Sequence, residues 1–142
     1  GGTFDAALSA ATAAARAGVR TRRDYLHPGQ TGLMDSVSLN ELINTHLEKA
    51  RSSSAGRSAG KVYGDHTHEL RQTIIALVAG ESLADHESPS EATLQVLTGR
   101  VAITVEDTSW EGSAGDLVAI PPQRHGLKAL EDSAFLLTVR AH

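Results

Sequence analysis

The chain holds seven histidines and no cysteine. Thiolate zinc sites, iron–sulfur clusters, disulfides and cysteine nucleophiles are therefore excluded, and any metal site must use imidazole, carboxylate or amide groups. Two histidines stand one residue apart in His66-Thr67-His68, and Gln72, Ile74 and Ala76 continue the same alternation. A period of two places such residues on one face of a strand. Facing inward, that face gives a pocket with His68 and Gln72; facing outward, it gives a polar stretch at the surface. Glu87 and Glu91 are candidate acid–base groups, weighed against the commoner role of solvated loop carboxylates. Arg71 and Gln72 together could receive an anionic ligand, although a strand arginine is usually solvated. Trp110, the single indole, reads as packing or a rim contact. The chain shows no Ser-His-Asp order, phosphate-cradling loop, dinucleotide fingerprint, helix-borne His-Glu-x-x-His or zinc-finger spacing.

The elements that must position these groups are short strands. From Lys61 onward, Val/Ile/Leu/Thr-rich runs alternate with turn residues, including Gly64, Gly80, Pro89, Gly99, Gly112, Gly115, Pro121 and Pro122. The pattern predicts strands over 61–63, 68–78, 83–87, 92–98, 100–106, 109–111, 117–120, 124–129 and 134–140. No helix-length spacers separate them, so an antiparallel barrel or sandwich is expected rather than βαβ units. Thr98-Gly99-Arg100, between two apolar runs, reads as a hairpin turn. Asp116 after Gly115 reads as turn chemistry.

Ahead of the strands, Ser38-Leu39-Asn40-Glu41 matches a capping box. Leu39, Leu42, Ile43, His46, Leu47 and Ala50 recur at helical spacing, predicting a helix over 39–50 with His46 as a structural histidine on its packed stripe. Residues 51–60 read as a Gly/Ser linker. Phe4 to Ala17 has helical propensity but an almost all-Ala apolar face. Residues 1–33 are expected to form a partly ordered extension. Two alternatives are a functional basic arm and extra sequence ahead of a natural start near Met34. The expected division is 1–33 extension, 34–60 helix and linker, and 61–142 barrel.

Composition bounds the partners. The net charge is −4: residues 1–33 carry four Arg against two Asp, and residues 34–142 carry nine basic against fifteen acidic residues. The larger part would repel phosphates, so no nucleic-acid partner is expected. No apolar run approaches the roughly 20 residues of a membrane span. The lack of cysteine fits a reducing cytoplasm, and aromatics at 4% leave a core of Leu, Val, Ile and Ala.

Two stretches resemble a known family. Gly80 through His86, Ser88, Glu91 and Ala92 to Gly99 resembles the first motif of the cupins: Gly, five residues, His-x-His, three or four residues, Glu, six residues, Gly. Gly115-Asp116 through Ile120-Pro121-Pro122 to His125 resembles the second. The resemblance covers roughly 66–142. It implies an all-β fold, a small double-stranded β-helix (jelly-roll) barrel preceded by one or two helices. In the family, two His and a Glu of the first motif and one His of the second commonly hold iron, manganese, nickel or zinc, a donor set suited to those metals.

Here the set is incomplete. His86 holds the first position, Ser88 replaces the second His, and Ala92 stands where the Glu is usual. Alternation would aim its neighbour Glu91 at the opposite face unless a bulge intervenes. Gln123 replaces a glycine, and His125 comes one residue early. The resemblance thus implies His86 and His125 as metal ligands; a third could come from His68, if the face it shares with Gln72 points inward. The candidate pocket is His68, Gln72, His86, Ser88, Glu91 and His125. The expected function is a small-molecule- or metal-binding barrel of undetermined activity. Its alternatives are a metal-dependent dioxygenase, isomerase or decarboxylase, and a sensory or interaction module using the N-terminal arm. The resemblance also implies a homodimer.

Overall fold

The computed structural model describes residues 26, 34–86 and 91–141. Among the described residues one helix, α1 (Leu39–Ser52), precedes nine strands: β1 (Arg57–Tyr63), β2 (Leu70–Leu77), β3 (Ser82–His86), β4 (Ala92–Thr98), β5 (Arg100–Val105), β6 (Thr108–Ser113), β7 (Leu117–Ala119), β8 (His125–Ala129) and β9 (Ser133–Arg140). Each of the nine expected strands corresponds to one of these. The candidate helix at 4–17 and the remaining expectations for 1–33 lie outside the described residues, apart from Leu26. No described helix is long and apolar enough to cross a membrane.

The strands form two antiparallel sheets. One has the order β1-β2-β9-β4-β7 and the other β3-β8-β5-β6. Their facing surfaces enclose a core of aliphatic side chains and Phe135, including Ile75, Leu77, Leu83, Leu94, Val96, Ile103, Ile120, Leu127, Leu137 and Val139. Nearly all are Val, Ile or Leu, which suit a pleated, buried surface. The low aromatic content is thus the composition of a narrow barrel.

The opposite face of the five-stranded sheet is covered by α1. Leu42 packs with Val62, Ile74 and Leu136, and Leu47 and Ala50 pack with Ala76 and Ala134. Ser38 caps the helix by accepting from the Glu41 N–H at 3.2 Å. At the other end, Arg51 Nε donates to Asp132 at 2.9 Å, and Asp132 also accepts from the Ala79 N–H at 2.9 Å. One carboxylate therefore ties the helix to the turns after β2 and β8. His46 is buried on the packed stripe with Nδ1 2.7 Å from Ser58 Oγ, a structural role as expected.

Three sequence expectations are corrected. The Gly/Ser linker over 51–60 shrinks to four residues, because α1 runs to Ser52 and β1 begins at Arg57. Small residues there serve close packing: a Cβ on Gly60 would lie 2.5 Å from His46 Nε2. The turn at Gly99 is not a hairpin. β4 pairs with β7 and β9, whereas β5 pairs with β6 and β8. Gly99, at φ +83°, instead carries the chain from one sheet to the other, where a side chain would strike Ser133 and the Asp132 carbonyl. Finally, β2 begins at Leu70, which leaves His66 and His68 in the preceding turn.

Candidate functional site

Successive strands alternate in direction, so one end of the barrel gathers the starts of β2, β4 and β8 and the ends of β3, β7 and β9. The candidate residues are concentrated at this end. His125 opens β8 and is 1% exposed, among the most buried side chains of the molecule. Its strand neighbour two residues on, Leu127, belongs to the barrel core, so alternation places His125 on the concave face. The ring Nδ1 lies 2.9 Å from the Gln123 carbonyl. A carbonyl only accepts, so Nδ1 carries the proton, and in the neutral ring Nε2, itself buried, keeps the lone pair. Gln123, where the motif has a glycine, thereby fixes the tautomer through its backbone.

β3 reaches the same place. Leu83 is the Cα partner of Leu127, and after a register shift His86 becomes the partner of His125. This bulge brings the backbones of the two motif histidines side by side. The side chain of His86 lies outside the described residues, as do Glu87 and Ser88.

The concave face of the other sheet is read from a cross-strand row. Arg71 on β2 pairs with Val139 on β9, which pairs with Ala92 on β4. Val139 and Ile120 are buried in the core, and Ala92 packs against it. One layer deeper, Thr73 is 2% exposed and alternates with Ile75 and Leu77. Arg71 and Thr73 therefore take the inward parity. The parity of Gln72, Ile74 and Ala76 faces α1 instead.

Two expected pocket residues make other contacts. Gln72 lies on the helix-covered face, where its amide donates to Thr138 Oγ1 at 3.1 Å. His68 belongs to a closed local turn. The Asp65 N–H donates to His68 Nδ1 at 3.0 Å, and the His68 ring lies 5.6 Å from that of Tyr63. Thr67 bonds Asp65 through its hydroxyl and its N–H, and these two bonds hold the Asp65 carboxyl down at about 2. Alternation failed as a guide because the strand starts two residues after His68. Glu91 is also outside the pocket. Its side chain is exposed and 3.9 Å from Arg140, as expected once Ala92 takes the inward position.

Trp110 packs against the core with its ring over Gly112, and Asp116 accepts from the Ser113 N–H at 2.9 Å, a turn role as expected. The inward Thr73, Ile120 and Val139 were not singled out by sequence. The alternation of Thr73 with Ile75 and Leu77 was the available sign.

Among the described residues, the donors of a metal centre of the usual cupin kind are not brought together. Among the described residues, no group of three or more His, Cys, Asp or Glu could hold a metal ion. Alanine occupies the carboxylate position, and His68 is committed to its own turn. What the described part offers is one buried imidazole, His125, at an end of the barrel where Arg71 and Thr73 of the other sheet take the inward parity.

Comparison with solved structures identifies the fold. A conserved protein of unknown function from Streptococcus pyogenes superposes with a TM-score of 0.59 at 18% identity, covering 84% of this chain and 96% of that one. A cupin superfamily protein from Desulfitobacterium hafniense gives 0.56 at 12% identity, covering 85% and 94%. A cupin-2 domain protein from Shewanella frigidimarina gives 0.57 at 15% identity, covering 73% and 93%. No family model matches the chain, and no curated protein matches it significantly. The chain has the fold of a small cupin-type barrel preceded by a helix, and the likeness extends to no specific activity.

Proposed function

We propose that the His125 end of the barrel binds a small organic molecule. The observation that carries this reading is the burial of His125, with Nδ1 2.9 Å from the Gln123 carbonyl, at a barrel end whose inward row is mostly aliphatic. Burying an imidazole costs free energy unless its polar atoms are used; the Gln123 carbonyl holds Nδ1, which makes Nε2 the acceptor of the neutral ring. An apolar concavity with a few placed polar groups is the general form of a small-molecule site. The backbone of His86, paired with that of His125, borders the proposed site; His68, Gln72 and Glu91 do not belong to it.

The test is a fragment screen by ligand-observed NMR. Binders should be weakened in Val139→Leu and lost in a Val139→Trp variant that circular dichroism shows to be folded, and kept in Leu117→Trp, which alters an exposed position on β7. Binders indifferent to Val139→Trp would place the site elsewhere and refute the reading. A metal-dependent enzyme lacks support in the described donor set. Elemental analysis of purified and reconstituted protein, with His86→Ala and His125→Ala controls, tests that alternative; a stoichiometric metal lost in both variants would restore it.

A further inference from the structure

We infer that the barrel takes its ligand as an anion, a small carboxylic acid with an apolar body, held directly by Arg71. This rests on the pocket reading above and adds the chemical class of the ligand. Arg51, Arg57, Arg100 and Arg140 each lie against a carboxylate, Asp132, Glu81, Glu111 and Glu91 respectively. Arg71 differs. It is half-buried and has no carboxylate within ion-pair distance among the described residues, and its Nε donates to the His68 carbonyl at a long 3.4 Å. A charge withdrawn from water without a counter-ion is unfavourable, so a position that keeps one is suited to an anion that arrives with the ligand.

The neighbours define the rest of that ligand. In the row Arg71–Val139–Ala92 the only charge is the guanidinium, and Ile120, whose N–H donates to the Ala92 carbonyl at 2.9 Å, extends the apolar surface. The position that would carry a carboxylate is Ala92, so the row presents a cation and no opposing acid. Glu91 turns outward to Arg140. A planar guanidinium matches a carboxylate with two parallel N–H bonds, and Val139, Ala92 and Ile120 suit a short aliphatic or aromatic body. Gly64, at φ +90°, lets β1 end against the Leu70 carbonyl, which a Cβ there would strike, right beside Arg71.

The probes are two acid–amide pairs of nearly equal shape, benzoate with benzamide and isovalerate with isovaleramide. Each is titrated at neutral pH and low salt into wild type, Arg71→Gln and Arg71→Lys, by ligand-observed NMR. The acids should bind wild type about tenfold or more tightly than their amides, the increment of a charge-assisted pair. In Arg71→Gln the acids should fall to the affinity of the amides while the amides are unchanged. Arg71→Lys should keep part of the preference, as a point charge without the fork. Equal binding of acids and amides to wild type, or a preference that survives in Arg71→Gln, overturns this inference alone and leaves the pocket standing. Failure of all four probes to bind wild type overturns it together with the pocket reading. Thermal unfolding of the variants within about 0.5 kcal/mol of wild type, as expected of a half-exposed strand position, ties any lost binding to the guanidinium; an unfolded Arg71→Gln passes the decision to Arg71→Lys.

Discussion

Replacing Gly60 by alanine should loosen the helix from the barrel, and the cost can be worked from the structure. The added Cβ would stand 2.5 Å from Nε2 and 2.6 Å from Cε1 of His46. Carbon contacts settle near 3.5–4.0 Å, so the ring must retreat by about 1 Å. Its path is obstructed, because Nδ1 is anchored 2.7 Å from Ser58 Oγ and the helix is buried at Leu42, Leu47 and Ala50. Overpacking of this kind costs about 1–3 kcal/mol, and loss of the His46–Ser58 bond adds about 1 kcal/mol. Alanine in place of a strand glycine returns about 0.5–1 kcal/mol. The net destabilisation is about 1–3.5 kcal/mol, or a fall in Tm of roughly 3–14 °C for a chain of this size. Urea denaturation should be run on Gly60→Ala, His46→Ala and the double variant. With the ring removed, Gly60→Ala should cost less than about 0.5 kcal/mol, a coupling expected of groups in direct contact. Equal costs in the two backgrounds would refute the packing argument.

Other outcomes follow from the same geometry. Asp132 is held below the ordinary carboxyl range by its bond from the Ala79 N–H and by Arg51. Its contribution is therefore present above the unfolded value near 4 and lost as pH falls through the lower folded value. Denaturation midpoints measured from pH 5 down to pH 2 should drop less steeply in Asp132→Asn than in wild type. Gly112→Ala should displace the single indole, because a Cβ there would lie 2.6 Å from Trp110 Cζ2; a red-shifted tryptophan emission is expected, and an unchanged spectrum would contradict the placement. A homodimer is proposed, with β1 at the sheet edge as its joining element. Light scattering at micromolar concentration should give about twice the 14.9 kDa chain mass, and a monomer mass would refute it.

The barrel was legible in the sequence because period-two apolar runs and turn residues persist through the chain from Lys61. The capped helix was legible through Ser38, Glu41 and a Leu/Ile stripe. Sheet assignment at Gly99 was not legible. A tight turn with positive φ serves a hairpin and an inter-sheet corner equally well, and long-range pairing of β4 with β9 decides between them. The first residues of β1 were hidden because Ser58, Ala59 and Gly60 have linker composition, although Gly60 is small to admit His46. At the site, His125 was found from its motif. The inward register was assigned to Gln72 instead of Arg71 because sequence parity cannot tell which face a helix will cover. The bulge in β3 that sets His86 beside His125 has no marker in residue type.

The central claim concerns His125, and its ring nitrogens can be observed directly. Long-range proton–nitrogen NMR of imidazole-labelled protein, assigned with His125→Ala, should show the neutral ring carrying its proton on Nδ1 and not on Nε2. Addition of a barrel-binding small molecule should shift the Nε2 resonance of His125 while leaving that of His46 in place. A ring protonated on Nε2 alone, or a His125 signal indifferent to every ligand that binds the protein, would contradict the account.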